Sequence, residues 1–200
     1  MAVLVQRIKI IAMSLDLESI FSDFLRQEKL LNQKLLLMVS GGIDSRVLLE
    51  VATKVCRPED LAIFHLDHQT RTETKRDFEF VKKLCEDKKI RFYGEILESK
   101  PSKNKENSWR KIRQQLSKKC AEDFGAARIL TAHHATDLAE TMIFRLVKGA
   151  GAKGLSPFDA HTKPFWKLPK SVLETYAREH QLEWREDETN DEIQYERNLI

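Results

Sequence analysis

Leu35-Leu36-Leu37-Met38-Val39-Ser40-Gly41-Gly42-Ile43-Asp44-Ser45 decides how this chain is read. Its first five residues are a solid apolar run, bounded before by a polar segment and after by a glycine pair. Such a run with no polar alternation predicts a parallel strand buried on both faces. The glycine pair turns the chain, and a helical pattern follows over 45–55. Working outward, Leu61–Asp67, Ile90–Leu97 and Arg128–His133 read as further strands. Helical patterns over 72–88, 107–124 and 137–148 lie between and after them. Strand alternating with helix predicts βαβ units, hence an α/β fold: a Rossmann-like parallel sheet with helices on both faces.

Towards the ends the pattern changes. Leu17, Ile20, Phe21, Phe24 and Leu25 recur at helical spacing, so residues 1–32 read as an extension carrying an amphipathic helix, ahead of a domain spanning 33–200. Residues 99–107 form a polar loop. Residues 149–170 hold three glycines and three prolines and read as irregular, followed by an amphipathic helix over about 170–180. Gly149-Ala150-Gly151-Ala152-Lys153-Gly154 matches G-x-G-x-x-G in letters, but it follows a helix rather than a strand. It reads as a helix terminator or loop.

Composition narrows the class. The chain has 200 residues, a formal net charge of +3, a 42% hydrophobic share and 32% charged residues, which excludes disordered or collagen-like sequence. No run approaches the ~18 apolar residues of a membrane span. Residues 1–13 carry Arg7 and Lys9 and lack the layout of a signal peptide. Three widely spaced cysteines, Cys56, Cys85 and Cys120, exclude a disulfide framework and a C-x-x-C motif, and fit a reducing cytosol.

The turn Ser40–Ser45 is the first chemical feature. Two glycines let successive N–H groups face inward, and such a nest at the positive end of a helix binds anions. The hydroxyls of Ser40 and Ser45 add donors. Asp44 needs a cation between itself and a phosphate, which points to Mg²⁺. A serine-capped turn without ligand is the plainer alternative. No Walker-type G-x-x-x-x-G-K-[ST] occurs. These residues resemble the PP-loop of the ATP pyrophosphatases, whose Ser-Gly-Gly-x-Asp-Ser loop grips the pyrophosphate of ATP.

Ligands of open parallel sheets bind beyond the carboxyl ends of the strands. Three such ends carry ionisable groups: the Ser40 loop, His65-Leu66-Asp67-His68-Gln69-Thr70-Arg71, and Thr131-Ala132-His133-His134-Ala135-Thr136-Asp137-Leu138-Ala139-Glu140-Thr141. Asp137, Glu140 and Thr141 share a helix face by spacing. Two neighbouring carboxylates want a positive group between them, either Mg²⁺ or a substrate ammonium; a solvated acidic face is the alternative. Adjacent histidines at a strand end point opposite ways, which argues against one transition-metal ion.

Together these blocks resemble the tRNA(Ile)-lysidine synthetases of the PP-loop family, from about Leu35 onward. His65-x-x-His68-x-x-Arg71 matches their pattern. Glu106-x-x-Trp109-Arg110-x-x-Arg113 resembles their Glu-x-x-Ala-Arg-x-x-Arg helix. Thr136 replaces the first acid of Thr-Ala-His-His-x-Asp-Asp-x-x-Glu-Thr, leaving the acid count one short. Trp184-Arg185-Glu186-Asp187-x-x-Asn190 and Arg197-Asn198 resemble the segment closing the catalytic domain. The resemblance implies an adenine nucleotide alpha hydrolase-like catalytic domain without the family's C-terminal tRNA-binding domains, acting in the cytoplasm.

It also implies a reaction: ATP adenylates the wobble cytidine of an isoleucine tRNA with a CAU anticodon, and free L-lysine displaces AMP to form lysidine. The implied ATP contacts are Ser40, Gly41, Gly42, Ile43, Asp44, Ser45, His65 and His68, with Mg²⁺ on Asp44. Asp137 and Glu140 would take the lysine. Asp44, His133 and Arg197 would act in catalysis, and Arg71, Arg110, Lys111 and Arg113 would hold tRNA. The last three lie in a basic stripe (Lys100, Lys103, Lys105, Arg110, Lys111, Arg113, Lys118, Lys119) that also reads as a merely solvated helix face. Two alternatives share the loop: a PP-loop tRNA thiolase, which wants reactive cysteines, and a truncated ATP- or tRNA-binding module with little catalysis. An amidotransferase-type synthetase has the loop but lacks the His-His-Asp-Glu block.

Overall fold

The apolar run at Leu35 becomes an interior strand because both of its faces are covered. The computed structural model describes residues 16–67, 74–97, 105–149, 151 and 159–185. Four parallel strands, β1 (Leu35–Met38), β2 (Leu61–Asp67), β3 (Arg91–Ile96) and β4 (Arg128–Leu130), stand in the order β3-β2-β1-β4. Leu37 pairs with Ile63 on one side and Leu130 on the other. The described helices are α1 (Leu17–Gln27), α2 (Ile43–Val55), α3 (Thr74–Asp87), α4 (Lys105–Phe124), α5 (Ala135–Val147) and α6 (Lys170–Glu179).

Alternation along β1 divides the core in two. Leu35, Leu37 and Val39 join a large cluster with α1, α2, α3 and α6, whereas Leu36 packs with Ala62, Phe64 and Cys120 and Ala121 of α4. Leu35, Leu36 and Leu37 are fully buried, and each contributes about 1.5–3 kcal/mol by leaving water. Helices thus cover both faces, as the unalternated run predicts. Helix α1 packs into the same core, through Leu17, Phe21, Phe24 and Leu25; Asp16 caps it by accepting from the Ser19 N–H.

One strand differs from expectation. The sequence predicts β4 through His133, but it ends at Leu130, because the next N–H, that of Thr131, donates to Thr162 C=O at 2.9 Å. Residues 131–134 are therefore a connection, not a strand. Gly149 ends α5 at φ 76° with its N–H on Leu146 C=O, so the G-x-G-x-x-G letters begin at a helix terminator. Among the described residues no helix is long and apolar enough to cross a membrane.

The order reverses beside β1. From β1 the chain winds through β2 to β3, then crosses by α4 to β4 on the other side of β1. The carboxyl ends of β1 and β4 therefore flank a topological switch point, where doubly wound sheets open a crevice.

Candidate active site

The loop leaving β1 is held in shape by its own serines. Ser45 Oγ accepts from the Ser40 N–H at 3.1 Å and donates to Gly42 C=O at 2.9 Å. Ser40 Oγ lies 3.2 Å from Ser45 Oγ. Ser45 is 7% exposed, so its hydroxyl proton is engaged within the loop, while the Ser40 hydroxyl stands at the exposed surface. Gly41 adopts φ 96°, and its carbonyl accepts from the Arg185 N–H at 3.0 Å. Arg185 stacks over Phe80 of α3, closing the loop from behind. Gly42 is the N-cap of α2 and offers no side chain, so the first N–H groups of α2 depend on an outside acceptor. The spacing Ser-Gly-Gly-Ile-Asp-Ser thus builds a serine-stapled turn at a helix start, the candidate anion nest.

His65 supports this nest from within the fold. It is 4% exposed, and its Nδ1–H donates to Val39 C=O at 2.7 Å, with Phe78 edge-on at 5.7 Å. Burial lowers its pKa below the usual value, against the opposing Val39 bond and the Asp67 and Asp77 charges. The unfolded chain then binds a proton that the native chain refuses, so stability is full above about pH 6.5 and is lost as pH falls from there toward the native pKa. The His65 contribution is expected to lower the melting temperature on acidification from about pH 7.5 to 5.5, against the opposite contribution of His134, whose pKa is raised. His65→Asn, which keeps a donor near Nδ1, flattens that drop in paired thermal melts; equal slopes would rule His65 out as the source.

The turn after β4 sorts its two histidines differently. His134 is 3% exposed and is the N-cap of α5; its Nδ1 accepts from the Asp137 N–H at 3.3 Å while Asp137 Oδ2 accepts from the His134 N–H at 2.8 Å. This is a capping box with histidine in the serine position. The opposite ring nitrogen, Nε2, lies 3.6 Å from Asp44 Oδ1 in the nest. Burial works against a charged His134, but the Asp44 contact and the charges of Asp137 and Asp44 outweigh it and raise the pKa. His133 is exposed, with Nδ1 2.8 Å from the Thr131 hydroxyl. Partial desolvation, joined by the charges of Lys163, Arg113 and His134, lowers its pKa against the pull of Asp137.

Asp44, His133, His134 and Asp137 thus gather at the β1/β4 crevice, with Glu140 exposed one turn along α5. The basic residues Arg110, Lys111 and Arg113 lie exposed on α4, and the field of Arg113 reaches His133. Lys111 and Lys118 border a shallow hollow of about 150 Å³ with Gln114 and Gln115. His68, Arg71 and Arg197 fall outside the described residues. Two contributors escape sequence reading. Lys163, 8% exposed, donates to Asp159 C=O at 2.7 Å and carries a lowered pKa from burial and from Arg110, against Asp159. Thr136, which stands where the resemblance leads one to expect an acid, accepts from the Lys170 N–H at 3.2 Å and ties α5 to the start of α6.

Does the site suit Mg²⁺? Asp44 Oδ1 is buried and makes no hydrogen bond, which leaves its lone pairs for a cation. Magnesium takes one or two protein carboxylates plus phosphate oxygens and water, a donor set this nest can supply. Among the described residues no group of three or more His, Cys, Asp and Glu is gathered for a metal ion. Burial disfavours the thiolates: it pushes Cys56 up to about 11 and Cys85 up to about 12, and raises Cys120.

Comparison with known proteins places this geometry. A family model, the PP-loop domain, matches residues 13–200. The chain is 35% identical over 179 residues to the tRNA(Ile)-lysidine synthase of Thermotoga maritima, covering 84% of this chain and 43% of that one. It is 34% identical over 198 residues to that of Petrotoga mobilis, covering 92% and 64%. The chain therefore spans less than two thirds of the length of these curated relatives. Among solved structures, a U34-tRNA thiolase from Methanococcus maripaludis superposes with a TM-score of 0.65 at 16% identity, covering 85% of this chain and 66% of that one. An NH3-dependent NAD synthetase from Campylobacter jejuni does so with a TM-score of 0.57 at 20% identity, covering 84% and 75%. These two likenesses concern the fold alone.

Proposed function

This chain belongs to the PP-loop domain family, and on that premise we propose that it joins free L-lysine to the wobble cytidine of an isoleucine tRNA with a CAU anticodon, at the expense of ATP, in the cytoplasm. One observation carries the reading: a single buried imidazole, His134, has Asp44 of the phosphate nest at one ring nitrogen and Asp137 of the acid-bearing helix at the other. A nucleotide cradle and a site for a cationic amino acid thereby share one rim.

In the first step the cytosine O2 attacks the α-phosphorus of ATP, and the α–β bridging bond breaks to release pyrophosphate. The first N–H groups of α2 and the Ser40 hydroxyl would receive the pyrophosphate charge as it develops. Asp44 would hold Mg²⁺, which supplies charge neutralisation on the phosphates. Ile43 contributes its main chain as the first residue of α2, and His65 holds Val39 and so the strand end.

In the second step the lysine amine adds to C2 of the base and the C2–O bond breaks, releasing AMP. Only a neutral amine attacks. Asp137 and Glu140 orient the lysine by its charged groups. His133, kept uncharged near neutral pH by desolvation and by Lys163 and Arg113, takes the proton the amine loses. Arg197 adds charge stabilisation at the adenylate. His68 adds a nucleotide contact, and Arg71, Arg110, Lys111 and Arg113 meet tRNA phosphates.

The test is an incubation with ATP, Mg²⁺, labelled lysine and unmodified isoleucine tRNA. Label in the tRNA, with one pyrophosphate released per lysine joined, is the expected result. Sulfur incorporation from a sulfide donor would favour the thiolase instead, although the raised thiol pKa values speak against it. ATP binding with neither product would mark a binding module.

A further inference from the structure

His134 has no part in the steps above, yet it is the best-buried ionisable group in the crevice, at 3% exposure. Its two ring nitrogens face different partners. Nδ1 receives the Asp137 N–H, which can only donate, so the neutral ring carries its proton on Nε2. That proton faces Asp44 Oδ1 across 3.6 Å, just beyond hydrogen-bond length. Asp44 Oδ1 itself is buried and makes no hydrogen bond. A carboxylate in that state is steered by a nearby donor without being satisfied by it, and keeps its capacity for a cation.

We infer that His134 is a positioning residue: its Nε2–H fixes the attitude in which Asp44 receives magnesium with the nucleotide, and its Nδ1 locks that arrangement to the helix bearing Asp137. The inference rests on the proposed ATP chemistry and deepens it. Removing a group that orients a metal ligand from behind typically costs about 10–100-fold in metal affinity. Here the same ring caps α5, so the loop that takes the nucleotide and the helix that takes the amino acid are held in one register.

Two substitutions separate the roles. In His134→Asn the amide oxygen falls near Nδ1, so it keeps the cap and loses the reach to Asp44. In His134→Gln the amide nitrogen falls near Nε2, so it keeps the donor and weakens the cap. ATP affinity is measured by calorimetry on the full chain, with Mg²⁺ and with EDTA, beside thermal melts. Wild type is expected to bind ATP more tightly with Mg²⁺. His134→Asn is expected to cut that enhancement by about 10–100-fold while retaining its helical circular dichroism. His134→Gln is expected to keep most of the enhancement and to melt earlier.

In an Asp44→Ala background, adding His134→Asn is expected to cost nothing further in Mg²⁺-dependent affinity. Unchanged enhancement in His134→Asn, or full additivity with Asp44→Ala, overturns the positioning role and leaves the proposed function standing. A wild-type chain that binds no ATP under either condition overturns the proposed function itself, and this inference with it.

Discussion

Asp44→Ala is expected to slow pyrophosphate release from ATP by about 10²–10³-fold, a loss of ~3–4 kcal/mol of transition-state stabilisation, while the protein melts close to the wild-type temperature. The two halves of that result follow from one geometry. Asp44 stands in the first turn of α2 with Oδ1 buried and unbonded, facing His134 Nε2 at 3.6 Å. Removing an unsatisfied buried oxygen relieves a desolvation cost of roughly 1–3 kcal/mol, which offsets the lost attraction to the helix dipole and to His134. The fold therefore loses little. On the proposed function, the reaction loses the carboxylate that would bring a divalent ion to the phosphates. A variant that melts normally and releases pyrophosphate at the wild-type rate would falsify the magnesium role of Asp44. One that unfolds would show that the carboxylate is structural.

The parts of this site legible in the sequence are those fixed by local rules. Five apolar residues without alternation require cover on both faces, and β1 has it. Ser-Gly-Gly-x-Asp-Ser between strand and helix requires a nest, and the loop staples itself into one. What escaped reading depends on contacts made far along the chain. Where β4 stops is decided by the Thr131 N–H choosing Thr162 C=O, a partner 31 residues away. Thr136 looks like a missing acid until Lys170, 34 residues on, is seen to donate to it. Lys163 sits in a stretch with no periodicity. One signal was available: His134 followed three residues later by Asp137 is the spacing of a capping box. The capping box engages Asp137 Oδ2 on the His134 N–H, a use of that acid that its spacing from Glu140 alone does not announce.

The glycine pair separates fold from ligand more sharply than any charged residue here. Gly41 sits at φ 96°, where a Cβ is strained whatever the surrounding space, although Val81 at 3.5 Å and Phe80 at 3.9 Å would leave it room. Gly41→Ala is therefore expected to cost ~1–3 kcal/mol of stability and to lower the melting temperature. Gly42 is different. At φ −71° and ψ 163° any residue is at ease, and a Cβ would meet Ser40 Oγ at 3.6 Å and Arg185 C=O at 3.9 Å, ordinary contacts. Alanine is a poorer N-cap than glycine but loses less entropy on folding, by about 0.4–1 kcal/mol, so the two effects nearly cancel. Nothing in the fold demands glycine at 42. A phosphate drawn onto the first N–H groups of α2 does, because a methyl there stands in its path. Gly42→Ala is accordingly expected to melt like wild type and to bind ATP at least ~10-fold more weakly, about 1.4 kcal/mol, in calorimetric titrations. Wild-type ATP affinity in Gly42→Ala would mean that the nest is a turn and nothing more, and that phosphates, if bound, lie elsewhere on the sheet.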